Sequence, residues 1–323
     1  MKINDYRCVL CQSAIASRDS SGLQCENGHT IPFIEETEIP VFDCENENTN
    51  DYTMEKAAEI HDNSLTWLLK TFLEDEAALR IRLISKLHLQ QGQKILITGA
   101  GAGNDLPYVA KLVGKEGQIF AQDFSRQMLM SAVKRSSDWY HLSDHKIEFS
   151  VSDATDLPFD DGVFDAVYHF GGLNLFPDIP KGISEMDRVV KAGGRVVYGD
   201  EGLPPWLKNT EYGKMIVRNN PLCDFDPPLC HIPTTAREVN LSWAVGYCFY
   251  IIEYTASKDA LPMDINLHHV GKRGGSINTR YFGVLEGVDP VLKASLYQEA
   301  EKQGVSRVSL LENLLRSGLD NLD

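Results

Sequence analysis

Lys94-Ile-Leu-Ile-Thr-Gly-Ala-Gly-Ala-Gly-Asn-Asp105 is the stretch on which the fold turns. Ile95, Leu96 and Ile97 predict a short buried strand, the glycines at 99, 101 and 103 a tight turn, and Asn104-Asp105 the start of a helix. Glycine suits such a turn because the chain must take positive φ and bring backbone N–H groups close to a ligand. A nucleotide-like cofactor is expected across Gly99, Ala100, Gly101 and Gly103.

Downstream the chain alternates strand and helix, as a parallel sheet requires. Gln118–Asp123 reads as a second strand, Ser125–Lys134 as a helix capped by Ser125, and Lys146–Val151 and Phe164–Phe170 as the third and fourth strands. A helix over Ile183–Val190, a turn at Lys191-Ala-Gly-Gly194 and a fifth strand at Arg195–Tyr198 follow. Asp123 falls about twenty residues beyond the glycine turn, where an acid can accept both hydroxyl protons of a ribose. Phe124 can stack on a purine, and Asp153, after the third strand, can accept from an exocyclic amine.

Five segments in order carry a resemblance: the glycine turn; Gln122-Asp-Phe-Ser-Arg-Gln-Met-Leu129; Ser152-Asp-Ala-Thr-Asp-Leu-Pro-Phe-Asp-Asp-Gly-Val-Phe-Asp-Ala-Val167; Phe170-Gly-Gly-Leu-Asn-Leu-Phe-Pro-Asp178; and Glu185-Met-Asp-Arg-Val-Val-Lys-Ala-Gly-Gly-Arg195. Over about residues 90–202 they resemble the motifs of class I S-adenosylmethionine-dependent methyltransferases, nearest the subgroup that methylates ubiquinone and menaquinone precursors. The resemblance implies an α/β fold with a doubly wound, mostly parallel seven-stranded Rossmann-like sheet. It places Gly99, Gly101 and Gly103 under the methionine part of the cofactor, Asp123 on the ribose and Asp153 with the Ala154 backbone on the adenine. His169 and Phe170 would border the methyl group. Ile97 stands where the family carries an acid that positions the cofactor's amino group, so either Asp105 or a residue of the preceding helices substitutes for it, or affinity for the cofactor is weak. A nicotinamide dehydrogenase is the rival at fold level, but Asp-Ala-x-x-Leu-Pro-Phe and the Gly-Gly turn fit it poorly.

Methyl transfer from a sulfonium needs alignment and exclusion of water, and a base only where the acceptor must lose a proton. Among His169, Asp200, Glu201 and His231, His169 is ranked first by position, with a packed wall as its alternative role.

Cys8-x2-Cys11 and Cys25-x3-His29, thirteen residues apart, have the spacing of a tetrahedral zinc site with a structural role. The pattern also resembles the zinc module of ribosomal-RNA guanine methyltransferases. Residues 1–50 hold three basic side chains against nine acidic ones, the reverse of a phosphate-binding footprint. Cys44 is a spare thiol, and Asp43–Asp51 reads as a linker. Residues 53–89 predict two helices over the mouth of the next domain, with His61, Asp62, Trp67 and Arg82 as candidate ligand contacts.

Beyond Pro204 a helix is expected at Trp206–Val217, then an irregular loop, Pro221–His231, whose Cys223, Cys230 and His231 lack a fourth spaced ligand for a metal. Leu241–Tyr254 reads as one buried strand and Thr279–Glu286 as its antiparallel partner, completing seven strands. Between Asp264 and Glu286 no acid occurs, whereas His268, His269, Lys272, Arg273 and Arg280 do, a stretch that reads either as a loop closing on an anionic acceptor or as a solvated hairpin loop. The tail, Pro290–Leu319, reads as two amphipathic segments suited to homodimerisation or docking.

The expected organisation is a zinc ribbon over 1–45, linker and helical cap over 46–90, a cofactor domain over 91–289 and helices over 290–323. The 323 residues carry a net charge of −15, and neither a leader nor a membrane span is read, so a cytoplasmic location is the default. The sequence thus predicts a zinc-bearing methyltransferase for a small anionic or quinone-like molecule. Its rivals are an RNA methyltransferase and a cofactor-binding sensor or scaffold without turnover.

Overall fold

The computed structural model describes residues 5–35, 37–42, 54, 56–282 and 288–321. Cys44 and the Asp43–Asp51 linker lie outside the described residues. Contacts divide the chain into two units, Met1–Ala260 and Leu261–Asp323.

The first unit begins with a three-stranded antiparallel ribbon, β1 (Ile15–Arg18), β2 (Gly22–Cys25) and β3 (Thr30–Pro32). Helices α1 (Ala57–Thr71) and α2 (Glu76–Ser85) follow, and Asp75 caps α2 by accepting from the Ala78 amide. Then come β4 (Lys94–Thr98), α3 (Leu106–Val113), β5 (Gln118–Asp123), α4 (Arg126–Asp138), β6 (Lys146–Val151) and β7 (Phe164–Phe170). After them run α5 (Ile179–Val189), β8 (Val190–Glu201), α6 (Pro205–Lys208), α7 (Glu211–Asn219), β9 (Arg237–Ala244) and β10 (Phe249–Thr255). The seven-stranded sheet has the order β6-β5-β4-β7-β8-β10-β9, with β10 antiparallel to both its neighbours. The four pairings from β6 to β8 are parallel, and the strand order reverses at β4, so the cleft at the carboxyl ends of β4 and β7 is the natural ligand site. Runs such as Ile95-Leu96-Ile97 are continuously apolar because both faces of a parallel sheet are covered.

Two expectations about the last strands are corrected. Leu241–Tyr254 is a hairpin, not one strand: it folds at Val245, Gly246 and Tyr247, whose φ values are +50°, +61° and +63°. Its first arm, β9, is the seventh strand. Thr279–Tyr281 is helical, in α8 (Ile277–Tyr281), because Ser276 and Thr279 cap the helix reciprocally; residues 283–287 lie outside the described residues. The fifth strand also begins earlier than expected, at Val190, and Gly193 lies within it at φ +83°.

The ribbon is part of the first unit's core. Tyr6 is wholly buried, with ring centroids 5.3 Å from Phe42, 5.1 Å from Phe159 and 6.0 Å from Phe120 on β5. Main-chain bonds join the same regions: the Arg7 amide donates to Pro158 O, the Phe42 amide to Val151 O and the Val151 amide to Pro40 O.

The second unit contains α8, α9 (Pro290–Gln303) and α10 (Arg307–Asp320), the last two in contact and joined through Gly304 at φ +65°. No helix among the described residues is long and apolar enough to cross a membrane.

Candidate cofactor and acceptor site

Gly99, Gly101 and Gly103 take φ of +65°, +55° and +81° in the turn after β4. A Cβ on Gly99 would lie 2.9 Å from the His169 ring, and one on Gly103 2.8 Å from Leu106 Cδ1, so glycine is needed for space as well as for conformation. Asp123 ends β5, and its carboxylate accepts from the Gly101 amide (2.7 Å) and the Ser125 amide (2.8 Å). Burial raises its pKa, opposed by those N–H groups. One strand over, Asp153 accepts from the amide and hydroxyl of Thr155 through Oδ1 alone.

These groups open into one cavity of about 1000 Å³. Gly99, Ala100, Gly101, Asp105, Asp123, Phe124, Asp153, Ala154, His169 and Phe170 all border it; Gly103 packs against Leu106 and Ala132 instead. The volume exceeds what a nucleoside cofactor alone requires, leaving room for a second molecule.

His169 is 1% exposed, and its Nδ1 lies 2.9 Å from Thr98 O. A carbonyl only accepts, so Nδ1 carries the proton and Nε2 presents a lone pair. Nε2 is buried and has no hydrogen-bond partner among the described residues. Burial lowers the pKa to about 4, so the ring is neutral at pH 7, held edge-on to Phe176 at 5.1 Å.

Of the cap residues, His61 and Trp67 border the cavity. Asp62 and Arg82 are otherwise engaged: Asp62 pairs with Arg135 on α4 at 2.7 Å and Arg82 with Glu74 at 3.1 Å. Ile97 is 2% exposed and belongs to the core. The charge the sequence reading missed is Arg80, also on the cavity wall, which donates to Asp105 Oδ1 and to Glu76 Oε1, both at 2.8 Å. Its signal is a basic residue between Leu79 and Leu83 on a face otherwise apolar.

At the far end Phe72, Phe170 and Phe249 make an aromatic wall, the last two 5.5 Å apart, and Glu201 borders the space beside them. Asp200 is fully buried behind it. Its carboxylate accepts from the amides of Gly172, Asn174 and Glu201; burial and the Glu201 side chain hold its pKa well above the ordinary carboxylate range. Cys230 and His231 fall outside the cavity lining.

Away from the cavity, the ligating atoms of Cys8, Cys11, Cys25 and His29 lie within 4.8 Å of one another. The Cys11 and Cys25 sulfurs are 3.7 Å apart, and His29 Nδ1 is 3.3, 3.5 and 3.6 Å from Cys11, Cys25 and Cys8. A tetrahedron with Zn–S bonds of about 2.3 Å has edges of about 3.75 Å, so the donor set fits zinc. Two turns arrange it, with Gln12 N donating to Cys8 O and Gly28 N, at φ +84°, to Cys25 O.

His268, His269, Lys272, Arg273 and Arg280 are exposed in the second unit. There the His269 amide donates to Gly275 O, and the Arg280 guanidinium to Gly274 O at 2.5 Å, which shapes a loop ahead of α8.

Sheet order, glycine turn and acids at successive strand ends define the Rossmann-like methyltransferase fold. Residues 78–201 match the model of the ubiE/COQ5 methyltransferase family, so the resemblance read from the motifs is borne out over the segment that carries them. Among relatives, the demethylmenaquinone methyltransferase of Clavibacter sepedonicus is 40% identical over 114 residues, 35% of this chain and 43% of that protein. That of Staphylococcus saprophyticus is 32% identical over 124 residues, 38% of this chain and 51% of that protein. The matches thus span about half the length of these relatives. Two solved structures are similar. One is an Aquifex aeolicus SAM-dependent methyltransferase (19% identity, TM-score 0.40, 59% of this chain and 97% of that one). The other is Haemonchus contortus phosphoethanolamine N-methyltransferase 2 (13% identity, TM-score 0.49, 66% and 61%).

Proposed function

We propose that this chain transfers a methyl group from S-adenosylmethionine to a small, flat, quinone-like or anionic acceptor. The observation that carries the reading is the convergence on one cavity of the glycine turn, Asp123, Asp153 and the aromatic wall of Phe72, Phe170 and Phe249. Asp123 would hold the ribose and Asp153, through its free oxygen, the adenine amine, with Phe124 against the purine. The bound cofactor supplies an electrophilic methyl on a sulfonium. The chain's own part is alignment and dryness: the glycine turn allows close approach, α1 and α2 cover the cavity, and the rings clamp a planar acceptor. His169 serves as a neutral wall that fixes the turn through Thr98, because an imidazole with a pKa near 4 is a weak base at neutrality. Glu201 is the better placed group to take a proton where the acceptor must lose one. The names of the relatives favour a quinone-like acceptor. Zinc in the Cys8, Cys11, Cys25, His29 site would be structural, since all four positions are filled by the chain.

A second reading, cofactor binding without turnover, draws on Ile97. With that position in the core, Arg80 and Asp105 are the charged pair left to meet the zwitterionic end of the cofactor. Isothermal titration with S-adenosylmethionine and S-adenosylhomocysteine, followed by methyl transfer to a demethylmenaquinone analogue, tests both. Micromolar binding with turnover is expected. Binding without turnover on quinone-like and anionic acceptors selects the second reading, and no binding removes both.

A further inference from the structure

The N-terminal ribbon meets the cofactor domain at both ends of one loop, residues 152–158, which carries Asp153 and Ala154 of the cavity wall. At the loop's entry Val151 ends β6, in register with Asp123 on one side and with Val41 on the other. The Phe42 amide donates to Val151 O at 2.9 Å and the Val151 amide to Pro40 O at 3.0 Å, so this arm of the ribbon extends the sheet past its edge strand. At the loop's exit Tyr6 bridges Phe159, and the Arg7 amide donates to Pro158 O at 3.0 Å. Both arms adjoin the candidate metal ligands. Arg7 precedes Cys8, and the Val41 amide donates to Pro32 O at the end of β3, which starts one residue after His29. Cys8 and Cys25 also share one apolar cluster with Ala154, Leu157 and Phe159. From the other side α5 grips the loop at Leu157 and Phe159 through Glu185 and Arg188. The approach to Asp153 is held instead by the ribbon at Val151 and by Asp123 O, which accepts from the Ser152 amide.

We propose that the ribbon is the positioning element of the adenine subsite: its two arms, fixed by Cys8, Cys11, Cys25 and His29 on zinc, hold loop 152–158 so that Asp153 meets the adenine amine. Tyr6 and Val41 are the positioning residues, one at each end of the loop. Metal binding to so small a module is coupled to its folding, so loss of the metal slackens both arms together. The loop then keeps its grip on α5 at the exit and loses its alignment at the entry, where Asp153 stands. A hydrogen bond weakens steeply with misalignment, so the adenine contact suffers first. Linkage makes the effect reciprocal: bound cofactor should tighten zinc by the factor with which zinc tightens the cofactor. The inference rests on the methyl-transfer reading for what lies at Asp153, and adds control of that subsite from the ribbon.

The test titrates the full-length protein, zinc-loaded, chelator-stripped and zinc-restored, with S-adenosylhomocysteine and with S-inosylhomocysteine, in which a carbonyl replaces the adenine amine. Zinc-loaded protein should prefer the adenine ligand by about 10- to 100-fold, the worth of a hydrogen bond to a charged acceptor. Stripping should collapse that preference by weakening the adenine ligand while the inosine ligand binds as before, and zinc should restore it. In Asp153→Ala the preference should be absent already, and stripping should change it no further. Two zinc-loaded variants decide the matter where the stripped protein loses its fold: Tyr6→Leu, which removes the ring against Phe159, should narrow the preference, and Tyr6→Phe, which keeps the ring, should retain it. A preference unmoved by zinc, an equal fall for both ligands, or a preference intact in Tyr6→Leu would overturn the inference and leave the cofactor reading standing. Zinc-loaded protein that binds neither ligand would overturn both.

Discussion

Asp123 does two jobs with one carboxylate, and that makes it the residue whose loss is most informative. It anchors the Gly101 and Ser125 amides and, on the proposed function, receives the ribose. Asp123→Ala removes a charged acceptor from a buried site, a loss of about 1.5–3 kcal/mol, so S-adenosylmethionine affinity should fall by about 10- to 100-fold in calorimetry. Unchanged affinity would remove the ribose assignment. His169 makes a different prediction, about pH. Its folded-state pKa of about 4 lies below the ordinary 6.5, so the fold prefers the neutral ring. Its stabilising contribution is whole above pH 6.5 and is lost as pH falls through 4, a total of about 3 kcal/mol. Urea unfolding at pH 7 and pH 4.5 should show a steeper acid loss for the wild type than for His169→Phe. Equal slopes would mean that the imidazole is not buried as drawn.

The hairpin between β9 and β10 shows where sequence patterns inform and where they fail. The glycine turn, Asp123 and Asp153 were readable because main-chain geometry at strand ends dictates residue type at fixed offsets. The hairpin was not, since its loop uses Val245 and Tyr247 at positive φ, a conformation that local preference argues against, and the aromatic run continues through the bend. Arg80 was missed for a related reason: its Glu76 partner is local, but Asp105, which gives the contact meaning, is 25 residues away. Gly246 is the hinge of the turn. An added Cβ would lie 2.1 Å from the Phe72 ring and 2.8 Å from the Tyr212 hydroxyl, so packing demands glycine as much as φ does. Gly246→Ala should cost about 2 kcal/mol or more and displace Phe72 from the cavity wall. Thermal unfolding and Phe72 ring resonances check this, and an unshifted midpoint would contradict the packing.

At the scale of the first unit, the question is whether the ribbon is an appendage or part of the body. Cys8, Cys25, Leu23, Ile31 and Phe42 belong to the same continuous apolar cluster as Phe120, Phe159, Phe164 and Tyr198 of the sheet region. A ribbon this small holds little shape by its own burial, so zinc, if held by the Cys3His site as proposed, would add to what the shared cluster supplies. Tyr6 is a central link of that cluster, its ring against Phe42, Phe159 and Phe120 of β5. Loss of the metal should therefore be felt in the sheet rather than in the ribbon alone. Stripping the site with a chelator, or Cys8→Ser, should lower the midpoint of one cooperative unfolding transition, with no separate early step for the ribbon. Tyr6→Ala should leave zinc bound but lower the same midpoint, by about 3–5 kcal/mol of stability for the lost aromatic packing. Calorimetry of the zinc-loaded, stripped and Tyr6→Ala proteins separates the cases. A ribbon that melts by itself while the main transition stays in place would show that the shared cluster does not couple the two, and zinc would then stabilise the ribbon only.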